Sequence, residues 1–239
     1  MTIKSSSGKS YKILAIIPAR GGSKGIKNKN IKKVGDIPLI GHTARLLSSI
    51  KFIDKSIVST DSKKIKKISE NYGVSVPFLR PTNLSGDNVP DIPVLQHGLN
   101  ECERIYKTKF DVILMLQPTS PMRSKSIILN AIKKLVEEKL DSVWSVSKVD
   151  SKFHPLKILK ITNRGYLDFY LSEGANIINR QMLDNTFQRN GLVYAFKRKS
   201  IIEGKILPKK SGYLIVDKFI INIDNYKELK DADEFFKCS

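Results

Sequence analysis

Short apolar runs alternate along this chain with longer amphipathic stretches. Tyr11 to Pro18 (YKILAIIP) is nearly continuous in apolar residues, as a strand buried on both faces of a parallel sheet requires. Ser56 to Ser59, Val74 to Leu79, Asp111 to Leu116 and Asp141 to Val146 are runs of the same kind. Between them, Leu39 to Ile50, Ser62 to Tyr72, Ile92 to Tyr106 and Lys125 to Lys139 carry apolar residues at helical spacing. Strand and helix in alternation predict right-handed crossovers and an α/β fold with a mostly parallel sheet, whose ligands bind at the C-terminal ends of the strands. From Asp150 to about residue 190 the rhythm gives way to short, charged, irregular pieces, which predict an inserted arm. It resumes with Gly191 to Phe196, Tyr213 to Val216, Phe219 to Ile223 and a terminal helix near Tyr226 to Phe236. No low-complexity linker or internal repeat divides the chain, so residues 1–239 are expected to be one domain with an excursion.

Composition narrows the class. With 239 residues, 41% hydrophobic and 27% charged, the chain is long enough to bury a sizeable core and unlike a disordered or collagenous sequence. No apolar run approaches the length of a membrane helix, and the first ten residues, MTIKSSSGKS, do not read as a secretory signal, so a cytoplasmic protein is expected. Cys102 and Cys238 supply neither a disulfide framework nor zinc spacing. The net charge of +19 points to a polyanionic partner: nucleic acid, membrane surface or phosphorylated substrate. Only 9 of the 42 basic residues are Arg, and base and phosphate readout favours the planar guanidinium, which weakens the nucleic-acid alternative.

Chemistry concentrates after the first predicted strand, in Pro18-Ala19-Arg20-Gly21-Gly22-Ser23-Lys24-Gly25-Ile26-Lys27-Asn28-Lys29-Asn30. Glycines let backbone N–H groups converge on an anion, and cations neutralise it, so a triphosphate fits. The loop is neither a Walker A sequence nor G-x-G-x-x-G, and composition leaves a phosphate loop and an ordinary surface turn both open. His42, His97 and His154 are not spaced as metal ligands or as a hydrolase dyad, and no G-x-S-x-G elbow is present.

The ordered series ILAIIPARGGSKGIKNKNI, LIGHTARLL, VSTDS, FLRPTNLSGD, LMLQPTSPMR, HPLK, RQMLDNTFQRNGLVY and INIDNYKEL closely resembles the acylneuraminate cytidylyltransferases. The resemblance runs from Ile13 to about Leu229. It implies a three-layer, nucleotide-diphospho-sugar-transferase-like (Rossmann-like) fold whose arm joins two subunits. It also implies metal-dependent transfer, in which the 2-hydroxyl of a nine-carbon 2-keto sugar acid attacks the α-phosphate of CTP and expels pyrophosphate. By resemblance Arg20, Lys29 and Asp224 are catalytic, and Ala19, Arg20, Gly22, Ser23, Lys24, Lys29, Asn30 and Arg80 line the nucleotide site. Gln117, Arg123, Lys157, Arg180 and Tyr194 are implied to contact the sugar, with Asp224 and Asn222 at Mg²⁺ or Mn²⁺. The family's late motif usually reads D-x-D, whereas this chain has Asn222-Ile223-Asp224. The expected partners are CTP, a nonulosonic acid and a second copy of the chain, with no nucleic acid and no membrane. Two alternatives stand beside this expectation: a catalytically impaired nucleotide-binding relative and a basic nucleic-acid-binding protein.

Overall fold

A computed structural model of the chain describes residues 3–4 and 8–238. Of the polar leader, residues 1–2 and 5–7 lie outside the described residues. The expected repeating frame is present as strand β1 (Ile13–Pro18), helix α1 (Leu39–Ser48), β2 (Lys55–Ser59), α2 (Lys63–Asn71), α3 (Asp91–Tyr106), β3 (Val112–Met115) and α4 (Lys125–Glu137). There follow β4 (Ser142–Lys148), β5 (Phe187–Lys197), α5 (Arg198–Ile202), β6 (Ser211–Ile215) and α6 (Tyr226–Cys238). The strands form one six-stranded sheet in the order β6-β4-β5-β3-β1-β2. Strand β1 is paired in parallel with both β2 and β3, while β5 runs antiparallel to β3, with Tyr194 opposite Met115.

Sequence explains the frame locally. Ile13 through Ile17 are fully buried, as a strand covered on both faces demands. Ser62 and Ser124 cap α2 and α4, each side-chain oxygen accepting a backbone N–H three residues on at 3.3 Å. Gly41 lets α1 approach its neighbours, since a β-carbon there would lie 2.8 Å from Ile37 Cγ2 and 3.1 Å from the Tyr72 ring.

Two predicted strands are absent. Val74 to Leu79 contributes only a single parallel bridge, Ser75 to Ile57, because Pro77 has no N–H to continue a ladder. Phe219 to Ile223 is not a strand either: the Ile223 N–H donates to Thr119 O at 2.9 Å, and that of Ile221 to the Met122 sulfur at 3.4 Å. Its backbone therefore anchors the turn that follows β3, and the buried Ile221 and Ile223 close a small second core with Ile26, Val34, Leu39 and Ala232.

The chain divides into two compact units, residues 1–145, 190–214 and 219–239, and residues 146–189 and 215–218. The smaller one contains a hairpin pairing Leu159–Ile161 with Leu167–Phe169 and several single 3₁₀ turns. Gly174 lets one of those turns sit against the Leu156 carbonyl and the Phe169 ring, where no β-carbon would fit. Among the described residues no helix is long and apolar enough to cross a membrane.

Candidate functional site

Within the larger unit the glycine-rich loop leaves the C-terminal end of β1, and its first residues are tied down. The Ala19 N–H donates to Ser59 O at 3.0 Å, and the Gly21 N–H to Asp61 Oδ1 at 2.7 Å. Farther on, Asn28 adopts a left-handed conformation (φ 59°) and starts the 3₁₀ turn Lys29–Ile31. The buried Asn30 Nδ2 reaches back to the Arg20 carbonyl at 3.0 Å, so Asn30 shapes the loop from beneath. Gly22 is exposed and nothing lies within 4 Å of the place its β-carbon would take, while Ser23 is half-buried beside it.

Three of the loop's cations face a carboxylate. Arg20 Nη1 lies 2.5 Å from Asp87 Oδ1, and Lys24 Nζ is 3.2 Å from the other oxygen of that carboxylate. Lys24 above all, with Arg20, holds the Asp87 carboxyl below its usual range. Lys29 Nζ donates to the Ile223 carbonyl and to Asp224 Oδ1, both at 3.0 Å. Arg80 differs: it is 5% exposed, its backbone N–H is held by Thr60 O, and its Nε has no partner. Burial pulls its guanidinium down, opposed by the nearby Asp61 and reinforced by Arg20. A buried cation beside a second cation is costly, and an incoming anion relieves that cost.

Asp224 is fixed from two directions. Its own N–H and that of Asn225 donate to Glu228 Oε2, while the Glu228 N–H donates to Asn225 Oδ1, a reciprocal cap at the start of α6. Asn222 Nδ2 donates to Asp224 Oδ2 at 3.1 Å, and Asn222 Oδ1 accepts from Ser120 Oγ at 3.1 Å. Reversing that amide would set its oxygen against a carboxylate, so the network defines the orientation. Asn222, expected at a metal, here orients Asp224 and has its carbonyl oxygen engaged by Ser120. Among the described residues no cluster of three or more His, Cys, Asp or Glu side chains could hold a metal alone. One exposed, oriented carboxylate nonetheless fits a hard divalent ion that arrives with most of its oxygen ligands on a triphosphate.

Behind the turn after β3, Gly191 (φ 73°) sits where a β-carbon would collide with Ser120 Oγ and crowd Gln117 Oε1 and Asn222 Oδ1. The half-buried Gln117 therefore shares one polar recess with Ser120 and Asn222. Arg123 and Tyr194, expected to touch the sugar, are buried supports of this recess. Arg123 Nε donates to Leu192 O, Nη1 to Thr43 Oγ1, and Nη2 to the carbonyls of Gln117 and Gly191. Burial pushes its guanidinium down to about 9, so the cation persists at neutral pH. The Tyr194 hydroxyl accepts the Gly191 N–H at 2.9 Å, and its ring packs 4.5 Å from Trp144. In the smaller unit Lys157 and Arg180 are exposed, each in a 3₁₀ turn, and the Asp150 carboxyl is held below its usual range by Lys152 first and by Arg180 in smaller measure.

Asp87, Ser120, Gly191 and Glu228 were not among the expected site residues. Asn225-x-x-Glu228 is a capping signature legible in the sequence, but only the fold shows what it positions. The cytidylyltransferase family profile matches residues 14–237. The chain belongs to that family. It is 31% identical over 227 residues to the post-translational flagellin modification protein B of Campylobacter coli, covering 94% of this chain and 95% of that one. It is 33% identical over 203 residues to the CMP-N,N'-diacetyllegionaminic acid synthase of Legionella pneumophila, covering 81% and 82%. Among solved structures, a CMP-2-keto-3-deoxy-manno-octonic acid synthetase complexed with CTP matches with a TM-score of 0.68 at 16% identity, covering 94% of this chain and 98% of that one. That likeness places this cytidylyltransferase in the α/β nucleotidyltransferase fold.

Proposed function

We propose that this cytidylyltransferase couples CTP to a nine-carbon 2-keto sugar acid, giving the CMP-sugar and pyrophosphate. The observation that carries the reading is the gathering of Arg20, Lys24, Lys29 and the buried Arg80, whose Nε has no hydrogen-bond partner, around a glycine loop at the C-terminal end of β1. Phosphoryl transfer asks a protein for positioned positive charge more than for a nucleophilic side chain. The sugar's 2-hydroxyl forms the new bond to the α-phosphorus and releases its proton to solvent, while the bond to the bridging oxygen breaks and pyrophosphate leaves with that electron pair. Arg20, Lys24, Lys29 and Arg80 oppose the charge that develops on the phosphate oxygens, and Gly22 and Ser23 form the wall along which the nucleotide lies, while Ala19, expected there, is fully buried and supports the loop from below. Asp224, held by Lys29, Asn222 and the α6 cap, is the residue for Mg²⁺ or Mn²⁺, which when bound neutralises phosphate oxygens as a Lewis acid.

Gln117 faces the sugar acid from the recess that Arg123 and Tyr194 support. The smaller unit by itself exposes Lys157 and Arg180, two cations of the kind that pairs with a carboxylate. The arm also exposes Phe153, Ile161, Tyr166, Leu167 and Ile178, apolar surface that a second copy of the chain would cover in a homodimer. The setting is cytoplasmic, where CTP is available. The test is release of pyrophosphate from CTP in the presence of N-acetylneuraminic, legionaminic or pseudaminic acid. Turnover with one of them and not with Kdo supports the reading; tight CTP binding without turnover on any would favour a nucleotide-binding relative that has lost catalysis.

A further inference from the structure

Asp87 lies in the turn Gly86-Asp87-Asn88, between the 3₁₀ turn Thr82–Leu84 and α3. Its two carboxylate oxygens are divided between two cations of the glycine loop, Arg20 at 2.5 Å and Lys24 at 3.2 Å. Among the described residues these are its only ion-pair partners, and no backbone N–H holds it in place. The other carboxylates near the loop are held differently. Asp61 accepts the Gly21 N–H and so belongs to the loop's own framework, and Asp224 is fixed by Asn222 and stands beside the α6 cap. Asp87 alone among the three faces two loop cations, and both sit in the loop that the proposed function gives to the triphosphate.

Without an anion there, Arg20 would stand as a like charge near the buried Arg80, offset by Asp61. We propose that Asp87 is a stand-in anion: it holds Arg20 and Lys24 in the ligand-free chain, and the phosphates of CTP displace it. The proposal rests on the nucleotidyl-transfer reading for the identity of the natural ligand, but not for the loop's ability to take a polyphosphate. Its consequence is a deliberate weakening of anion binding. A ligand that takes both cations must first break both contacts, so CTP binds less tightly than the bare loop would allow. Pyrophosphate leaves more readily for the same reason, because the carboxylate returns to the cations as the product departs. The barrier to exchange is low, since Lys24 is 82% exposed and Asp87 31% exposed, and ion pairs in such positions are weak. Asp87 in this role is a positioning residue that touches no reacting atom.

The test uses Asp87→Asn, which keeps size and polarity and removes the charge, with inorganic tripolyphosphate as the probe in calorimetry on the full chain. Tripolyphosphate and CTP are expected to bind about five- to tenfold more tightly to the variant than to the wild type, the scale of one displaced surface pair with two cations. In turnover the KM for CTP falls by a similar factor, the KM for the sugar acid does not change, and inhibition by pyrophosphate tightens. Asp87→Glu, which restores the charge, returns all three towards wild type. Weaker or unchanged polyphosphate binding by Asp87→Asn, with an unchanged melting temperature, overturns the proposal and makes Asp87 a buttress that stays in place beneath the bound ligand. If Asp87→Asn melts early, Asp87→Ser provides the same measurement. Failure of the function itself reads differently: the wild type would release no pyrophosphate with any sugar acid, while the tripolyphosphate comparison between wild type and variant would still score the stand-in role.

Discussion

Ile13 to Ile17 in β1 are completely buried, and so are Ile113 to Leu116 beside them; in the arm, Leu159, Ile161, Tyr166, Leu167 and Tyr170 are 49% to 75% exposed. The frame covers its aliphatic residues with its own helices. The arm is built from a hairpin of two three-residue strands and isolated 3₁₀ turns, elements too short to enclose a core, and it leaves its large side chains in water. Polar groups divide in the same way. In the frame, Arg123 is enclosed and satisfied by four protein oxygens, whereas Lys157 and Arg180 in the arm stand in solvent. A rigid frame can hold charges at fixed distances for electrostatic stabilisation, while an exposed arm with apolar side chains suits recognition of something outside the unit.

The sharpest way to break this contrast is Lys29→Ala. If the frame supplies preorganised charge, turnover falls by about 100-fold or more, the scale of one lost electrostatic donor. Near-normal pyrophosphate release would remove Lys29 from the site. Next in size is Arg123→Lys, which keeps a positive charge but cannot reach four acceptors in three directions. We expect a loss of about 2 kcal/mol in denaturant unfolding, with little change in the KM for the sugar acid. A large rise in that KM at unchanged stability would instead make Arg123 a direct ligand.

The arm is tested by Ile161→Asp combined with Ile178→Asp, two side chains that are 75% and 88% exposed. A solvated surface tolerates both, whereas a covered one does not. We expect the dimer measured by light scattering or sedimentation to weaken at least about tenfold, with the unfolding midpoint of the monomer nearly unchanged. A wild-type chain that is monomeric at micromolar concentration would show that the exposed residues serve another purpose. The smallest expected effect is at Asn222. Asn222→Asp adds a carboxylate next to Asp224, and the Mg²⁺ concentration for half-maximal rate should fall about threefold. A rise would mean that the amide N–H to Asp224 matters more than the extra charge.

Much of the frame was legible because it follows from local periodicity. Continuous aliphatic runs became central strands and apolar residues at helical spacing became helices, two of which start with the hydrogen bond that an N-cap serine makes, at Ser62 and Ser124. Val74 to Leu79 misled because an apolar run resembles a strand until the missing N–H of Pro77 is counted. Phe219 to Ile223 misled for a subtler reason: its N–H groups go to a turn and a sulfur atom, which no periodicity announces. At the site, the loop's glycines and cations admitted an anion but left an ordinary surface turn open, and Lys29 and Asp224 entered as what the family resemblance implies. Arg123 and Tyr194 could not be assigned a direction from sequence, since a side chain next to a substrate turn can point to either side of it.

The sequence by itself determined the alternation of strands and helices, the interruption near residue 150 and the cationic glycine loop, because each of these depends on neighbours within a few residues. Only the tertiary structure decided which charge meets which. Lys29 and Asp224 are 195 positions apart, yet the small core of Ile26, Val34, Leu39, Ile221, Ile223 and Ala232 holds both of their segments and brings the two groups to 3.0 Å. The same folding turned Arg123 inward and set Asp87 against Arg20 and Lys24. Coulomb attraction between exposed charges is too weak to choose those pairs along a flexible chain, so packing of apolar residues around them makes the choice.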